Sequence, residues 1–154
     1  MSLLSDLIYK LGLDSYLLIP LDLISQLERH QQLSLTDSER GGLLIGIYRP
    51  PHIEITQISE PQKEDGTSRF EFIRRSKKHI DLVLYAWKKS KKIETYMGEW
   101  HTHPEDHPVP SSTDLKEWHE KFPKDRAKIV IIIGRVSNWY GFWDGGNVTA
   151  LNIG

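Results

Sequence analysis

The chain of 154 residues contains no cysteine, and this absence excludes several kinds of chemistry at once. Disulfide bonds, thiolate metal sites and cysteine nucleophiles are all ruled out. A zinc deaminase of the nucleoside type is ruled out as well, because its metal site requires a P-C-x-x-C pattern. Any metal ion must therefore be held by histidine and carboxylate side chains.

A long hydrophobic run and a strong net charge are also missing. No segment is apolar over the length that a bilayer requires. The first twenty residues are interrupted by Asp6, Lys10 and Asp14, which is unlike a signal peptide. The formal net charge of -1 gives no overall attraction to nucleic acid or to anionic membranes. We therefore expect a cytoplasmic protein that binds neither nucleic acid nor membrane, and the oligomeric state stays open.

The length and the hydrophobic content of 38% predict one globular domain over residues 1–154. Hydrophobic periodicity predicts its elements. The predicted strands are 17–19, 42–48, 52–58, 69–73, 94–103, 128–133, 139–143 and 148–151, and the predicted helices are 3–13, 23–33 (capped by Asp22), 76–89 and 114–122. Because strands and helices interleave, we expect an α/β fold with a mixed β-sheet flanked by helices.

The most informative segment holds the sequence HTHP at 101–104 and SSTD at 111–114. Side chains at i and i+2 of a strand share one face, about 6.6 Å apart, so His101 and His103 can close on one ion. Asp114, from the next element, can supply a third ligand. Three protein ligands and one water are typical of a catalytic zinc site. Taken alone, the second motif has a simpler interpretation as a helix capping box with Ser111 as the N-cap.

The residues leave two candidates for a general base. Glu99 lies two residues before His101 and therefore on the same strand face. Glu39 comes from a separate segment, immediately before the predicted strand that starts with a Gly-Gly pair.

At this point the chain resembles the JAB/MPN (JAMM) metalloprotease family, whose signature is an upstream Glu, then H-[ST]-H-P, then S-x-x-D at a fixed interval. The resemblance covers residues from Glu39 to Phe122 and implies a single-domain JAB/MPN, cytidine-deaminase-like fold. It also implies a role for each matching residue. His101, His103 and Asp114 would bind Zn²⁺, Glu39 would be the general base and Ser111 would stabilise the oxyanion. Glu99 does not belong to the signature, and its remaining role would be to orient one of the ligands.

A narrower resemblance, carried by the sequence GEWHTHP at 98–104 and the basic residues near 74–79, is to the deubiquitinase-like branch found in bacterial CBASS anti-phage operons. It implies a protein substrate, the C-terminal tail of a conjugated protein such as a cGAS-like nucleotidyltransferase. The bond cut would be an isopeptide or a linear peptide bond. The alternative is a catalytically silent MPN-type scaffold that only binds partners.

The segment 74–92 is strongly basic, since eight of its nineteen residues are Lys or Arg. A solvated helix face is the favoured interpretation, because the chain as a whole is not basic. A docking surface for an acidic protein partner is the second.

Overall fold

The described residues form a nine-stranded mixed sheet with helices packed on it, which confirms the expected α/β fold class. The computed structural model describes residues 6–12, 14–62 and 77–153. Its strands are β1 Asp6–Gly12, β2 Ser15–Pro20, β3 Gly41–Arg49, β4 His52–Ile58, β5 Glu94–Thr102, β6 Lys128–Ile133, β7 Asn138–Trp143, β8 Val148–Ala150 and β9 Asn152–Ile153. The helices in these ranges are α1 Leu21–Glu28, α2 Lys77–Lys89 and α3 Ser112–Lys121.

The strands follow the order β8-β7-β6-β5-β3-β4-β2-β1-β9. Neighbours pair antiparallel except for β2 with β4 and β5 with β6, which are parallel. The two ends of the sheet approach each other, because only Leu151 separates β8, which pairs with β7, from β9, which pairs with β1. The rings of Tyr9 and Tyr140 meet across this closure with centroids 4.4 Å apart. The sheet is therefore strongly curled.

Strand β6 explains where the cores lie. Every residue of β6 is buried, and its alternate side chains enter two hydrophobic clusters on opposite faces. Ile129 and Ile131 join the larger cluster, together with α1, whereas Val130 and Ile132 pack against Trp118 of α3. A strand covered on both faces favours an unbroken β-branched run over strict alternation. Strand β5 lies next to β6 and is fixed between the same two layers.

Two glycines allow strands to approach closely around β5. A Cβ at Gly98 would lie 1.7 Å from the carbonyl oxygen of Ile129, and a Cβ at Gly42 would lie 2.3 Å from that of Ser59. Both positions therefore require glycine for steric reasons. Gly98 therefore lets β5 lie close to β6 at Ile129, and Gly42 lets β3 lie close to Ser59, which directly follows β4.

The prediction of a helix over 3–13 is wrong for the residues that are described, because 6–12 form β1. Pairing with β2 and β9 overrides the local pattern. The predicted helix 23–33 is shorter and starts earlier: α1 begins after Pro20, and Asp22 lies in its first turn without capping it. The predicted strand 69–73 lies outside the described residues. The remaining predicted elements are confirmed, with boundaries that shift by one or two residues.

Helix α2 carries the described part of the basic segment. Its terminal lysines are exposed, as expected of a solvated face. Two lysines at this end lie near aromatic rings: Lys89 is 5.6 Å from the ring centroid of Tyr85, and Lys92, which follows the helix, is 5.4 Å from that of Trp87. Among the described helices, none has the length and apolarity to cross a bilayer.

Candidate metal centre

The two histidines of the HTHP sequence lie at the end of β5. His101 pairs with Gly41 of β3 and with Ile132 of β6. The amide of His103 donates to the carbonyl of Ile133 at 3.0 Å, which continues the β6 side of the ladder by one step. His101 is 1% exposed and His103 is 6% exposed. Both imidazoles are therefore held on one face by backbone pairing on the strand that carries them.

Helix α3 brings the third side chain. Ser111 is its N-cap, with an extended backbone, and its hydroxyl accepts a hydrogen bond from the amide of Asp114 at 3.1 Å. In return, Oδ2 of Asp114 accepts from the amide of Ser111 at 2.9 Å. This reciprocal pair is the capping box that the sequence motif predicts. It fixes the Asp114 carboxylate, which is fully buried, at the first turn of the helix.

Three potential ligand atoms converge in a small triangle. Nε2 of His101 and Nε2 of His103 are 3.2 Å apart, and Oδ2 of Asp114 lies 3.5 Å from the former and 3.1 Å from the latter. Atoms bound about 2.0–2.1 Å from a tetrahedral zinc lie roughly 3.3–3.4 Å apart. Two imidazoles and a carboxylate are also a donor set that zinc accepts. The residues present therefore fit a zinc ion with three protein ligands.

The electrostatics of the triangle favour a cation. Burial alone would raise the pKa of Asp114, but hydrogen bonds from His101 and His103, the charge of His101 and the backbone hydrogen bond from Ser111 hold the pKa of this carboxyl below its usual range. Burial alone would lower the pKa of His103, whereas contacts with Asp114 and Glu105 and the nearby charge of Glu39 raise it. Buried ionisable groups require such partners. The lowered pKa of the Asp114 carboxyl favours its charged form, which is the form that binds a metal ion.

Each histidine has a glutamate carboxylate near its Nδ1, the ring nitrogen that is not part of the triangle. Oε1 of Glu105 is 2.8 Å from Nδ1 of His103, and Oε1 of Glu99 is 3.9 Å from Nδ1 of His101. Carboxylates in this position orient metal-ligating imidazoles. A supporting role for Glu99 was predicted from the sequence, but one for Glu105 was not, because its only signal is its place two residues after His103.

Glu39 reaches the site from the segment before β3. The next residue, Arg40, accepts from the amide of Thr102 at 2.9 Å and donates its own amide to the Thr102 hydroxyl at 3.0 Å. That hydroxyl donates to the buried Gln32 at 2.6 Å. Since Gly41 pairs with His101, Glu39 lies one step beyond the ladder, beside His103. The structure thus brings Glu39 near the triangle from a direction different from that of Glu99.

Comparisons with known proteins agree with this arrangement. The family model described as prokaryotic homologs of the JAB domain matches residues 20–149. The chain therefore belongs to this family, and fold and site together define a hydrolase of the JAB type.

Two similar proteins share one name, and a solved structure shares the fold. A protein of Escherichia coli (strain TW11681) named "CD-NTase/cGAS isopeptidase" is 35% identical over 138 residues, which are 90% of this chain and 88% of that protein. A Vibrio cholerae protein of the same name is 35% identical over 88% of this chain and 87% of its own length. A solution structure from Desulfitobacterium hafniense has a TM-score of 0.61 at 16% identity, covers 86% of this chain and 87% of that one, and supports the fold alone.

Proposed function

We propose that this protein is a zinc-dependent isopeptidase that hydrolyses the bond after the C-terminus of a conjugated protein. The observation that carries the proposal is the buried triangle of His101, His103 and Asp114 in a chain of the JAB family. The substrate would be a cGAS-like nucleotidyltransferase joined to a target in bacterial anti-phage (CBASS) defence, in the cytoplasm. The names of relatives that are 35% identical over most of the chain support this substrate.

In this mechanism three side chains would hold the zinc, namely His101, His103 and Asp114. A zinc ion in this position supplies a Lewis acid and lowers the pKa of water so that hydroxide is available at neutral pH. The low pKa of the Asp114 carboxyl supports its role, since it keeps this ligand deprotonated without the ion.

Glu39 would move the proton. Its carboxylate takes a proton from the attacking water as the C–O bond forms, and gives it to the lysine nitrogen as the C–N bond breaks. The products are a free carboxylate on the nucleotidyltransferase and a free amine on the target. The hydrogen bonds between Arg40 and Thr102 support this role, because they hold the Glu39 segment beside the ligand strand.

Ser111 would stabilise the tetrahedral oxyanion. Its oxygen already accepts from the amide of Asp114, so its own hydrogen is left to donate. A donor that is fixed in advance toward developing negative charge is more effective than a mobile one. The capping hydrogen bond therefore also orients the hydroxyl of Ser111, in addition to stabilising the start of the helix.

The test is cleavage of a nucleotidyltransferase that has been joined through its C-terminus to a target lysine, compared with a linear fusion of the same tail. We expect zinc-loaded protein to release both partners intact, with the nucleotidyltransferase ending at its own C-terminal residue by mass spectrometry. Glu39→Ala should bind zinc without cleaving, and Glu120→Ala, on the exposed side of α3, is the matched control. Zinc-loaded protein that binds the conjugate and leaves it intact would instead favour the partner-binding scaffold.

A further inference from the structure

Glu99 is a buried carboxylate that the proposed mechanism does not use. It is 0% exposed, and a buried charge is costly unless it has partners. Its Oε1 accepts a hydrogen bond from Nε1 of Trp118. The same oxygen lies 3.9 Å from Nδ1 of His101. Glu99 therefore stands between a ligand of the candidate metal centre and a tryptophan of another element.

Trp118 belongs to the helix that carries the third ligand. It follows Asp114 by four residues, so the two side chains share one face of α3, and both are fully buried. The Trp118 ring lies 6.1 Å from that of His101. The same ring stacks on that of Trp139, with centroids 6.2 Å apart and an interplanar angle of 7°. Its position is thus fixed by packing as well as by the hydrogen bond to Glu99.

These contacts connect the two elements on which the triangle depends. Strand β5 carries His101 and His103, and α3 carries Asp114, so the distances among the ligand atoms depend on how α3 sits against β5. We propose that Glu99 is a positioning residue that acts through Trp118 and His101 to hold these two elements at the spacing a metal ion requires.

The effect on His101 is electrostatic rather than a direct hydrogen bond, because 3.9 Å is too long for one. A carboxylate near Nδ1 favours the tautomer with its N–H at that nitrogen, which leaves the lone pair of Nε2 facing the triangle. Glu105 stands in the same relation to His103, at 2.8 Å. Each histidine therefore has a carboxylate near its Nδ1 that orients it. Of these two carboxylates, Glu99 is the one that also contacts α3, through its hydrogen bond with Trp118.

The test compares two Trp→Phe variants, each of which loses an indole N–H. Trp118→Phe removes the indole N–H and leaves an aromatic ring in place. Trp143→Phe is the matched control, since Trp143 is also fully buried in the same hydrophobic cluster and donates its Nε1–H to the carbonyl of Pro123 at 2.8 Å. Glu99→Gln is the third variant, which keeps an oxygen for Trp118 and removes the charge.

The measurement is zinc affinity, determined by competition with a chromogenic chelator, alongside urea unfolding of the metal-free proteins. We expect Trp118→Phe and Glu99→Gln each to weaken zinc binding by about 10–100-fold. Trp143→Phe should leave zinc affinity within about twofold of the wild type while it lowers stability, because it also loses a buried hydrogen bond. With zinc saturating, KM for the conjugate should stay unchanged, since Glu99 does not touch the substrate.

This inference rests on the proposed function, but the two fail in different ways. If the wild type binds no zinc, the proposed function fails. If the wild type binds zinc and cleaves, but Trp118→Phe and Glu99→Gln keep wild-type affinity, only the positioning role is overturned. It is equally overturned if all three variants lose zinc affinity in proportion to their loss of stability, because Glu99 would then be a purely structural residue.

Discussion

At the scale of single residues, the candidate site consists of polar groups placed where a globular protein normally buries apolar ones. His101, His103 and Asp114 are all buried, although each would lose hydration without a partner. Their mutual contacts replace water, and the triangle they form fits a zinc ion. The free energy of folding comes mainly from the apolar clusters on the two faces of the sheet. Metal binding and folding should therefore separate in mutants.

We expect His101→Ala and Asp114→Ala each to abolish zinc binding and turnover while the fold survives. Each removes one of three ligand atoms, and the core lies elsewhere. Zinc content of the purified variants, single-turnover cleavage and far-UV circular dichroism test this expectation. Near wild-type turnover in either variant would show that the ligand assignment is wrong.

Glu39 and Glu99 should behave differently. Glu39→Ala should keep its zinc and lose about 10²–10⁴-fold in turnover, because a general base is lost while the ligands remain. Glu99→Ala should lose zinc affinity instead, and its turnover should recover when zinc is added in excess. Zinc content and single-turnover rates are measured for both variants in parallel. An inactive, zinc-loaded Glu99→Ala beside an active Glu39→Ala would reverse the two roles.

The convergence of His101, His103 and Asp114 was predictable from the sequence because their spacing is local. The i, i+2 pair on one strand and the SxxD motif are readable within fourteen residues. The residues behind them were harder to predict. Glu105 contacts His103 only because the chain turns after β5, and Trp118 reaches Glu99 only because α3 docks on the sheet. No periodic pattern in the sequence encodes either contact.

At the scale of elements, the proposed mechanism gives the start of α3 two tasks. Ser111 caps the helix through its oxygen, and its hydroxyl hydrogen is assigned to the oxyanion. Substitution by Ala removes both properties, at a cost of about 1 kcal/mol in stability. Glycine is nearly as good an N-cap as serine and costs only a few tenths of a kcal/mol, but it has no hydroxyl.

We therefore expect Ser111→Ala and Ser111→Gly to lose similar amounts of turnover while their stabilities differ. Urea unfolding and single-turnover cleavage of the two variants provide the comparison. Turnover that follows stability, with Ser111→Gly close to the wild type, would mean that Ser111 acts only as a cap.

The first strand marks the limit of element prediction. Leu4, Leu7, Ile8 and Leu11 recur at intervals of three and four, which is typical of an amphipathic helix. Residues 6–12 nevertheless form β1, because they pair with β2 and with the distant β9. Pairing with a strand more than 140 residues away in the chain cannot be inferred from a local period. Strand β6 was predicted correctly because its run of β-branched residues favours a strand over a helix.

At the scale of the whole molecule, the sheet also buries a lysine side chain, far from the candidate site. Lys128 is 3% exposed, and its Nζ donates to the carbonyl of Tyr96 at 2.9 Å. Tyr96 is five residues from His101 along β5, about 16 Å at 3.3 Å per residue. Burial, with a smaller effect from the charge of Arg126, lowers the pKa of Lys128 from 10.5 to about 8.

Stability should therefore rise with pH between about 8 and 10. In this range the folded protein has lost the Lys128 proton and the unfolded chain still holds it, so the unfolded state binds more protons. The slope from this group is at most about 1.4 kcal/mol per pH unit. Buried tyrosines with raised pKa values, such as Tyr96, oppose the rise above pH 10.

Urea unfolding at a series of pH values from about 7.5 to about 9.5 measures this slope. Lys128→Met should abolish it and leave zinc binding unchanged, because the site is remote. An equal slope in the variant and the wild type would assign the pH dependence to other groups.

The central claim is that the triangle binds a zinc ion on which isopeptide cleavage depends. The most direct measurement is single-turnover cleavage of the lysine-linked conjugate by protein stripped of metal and then titrated with zinc. We predict no cleavage without metal and a rise that saturates at one zinc per chain, with binding lost in His101→Ala. Full cleavage by metal-free protein, insensitive to strong chelators, would contradict the account.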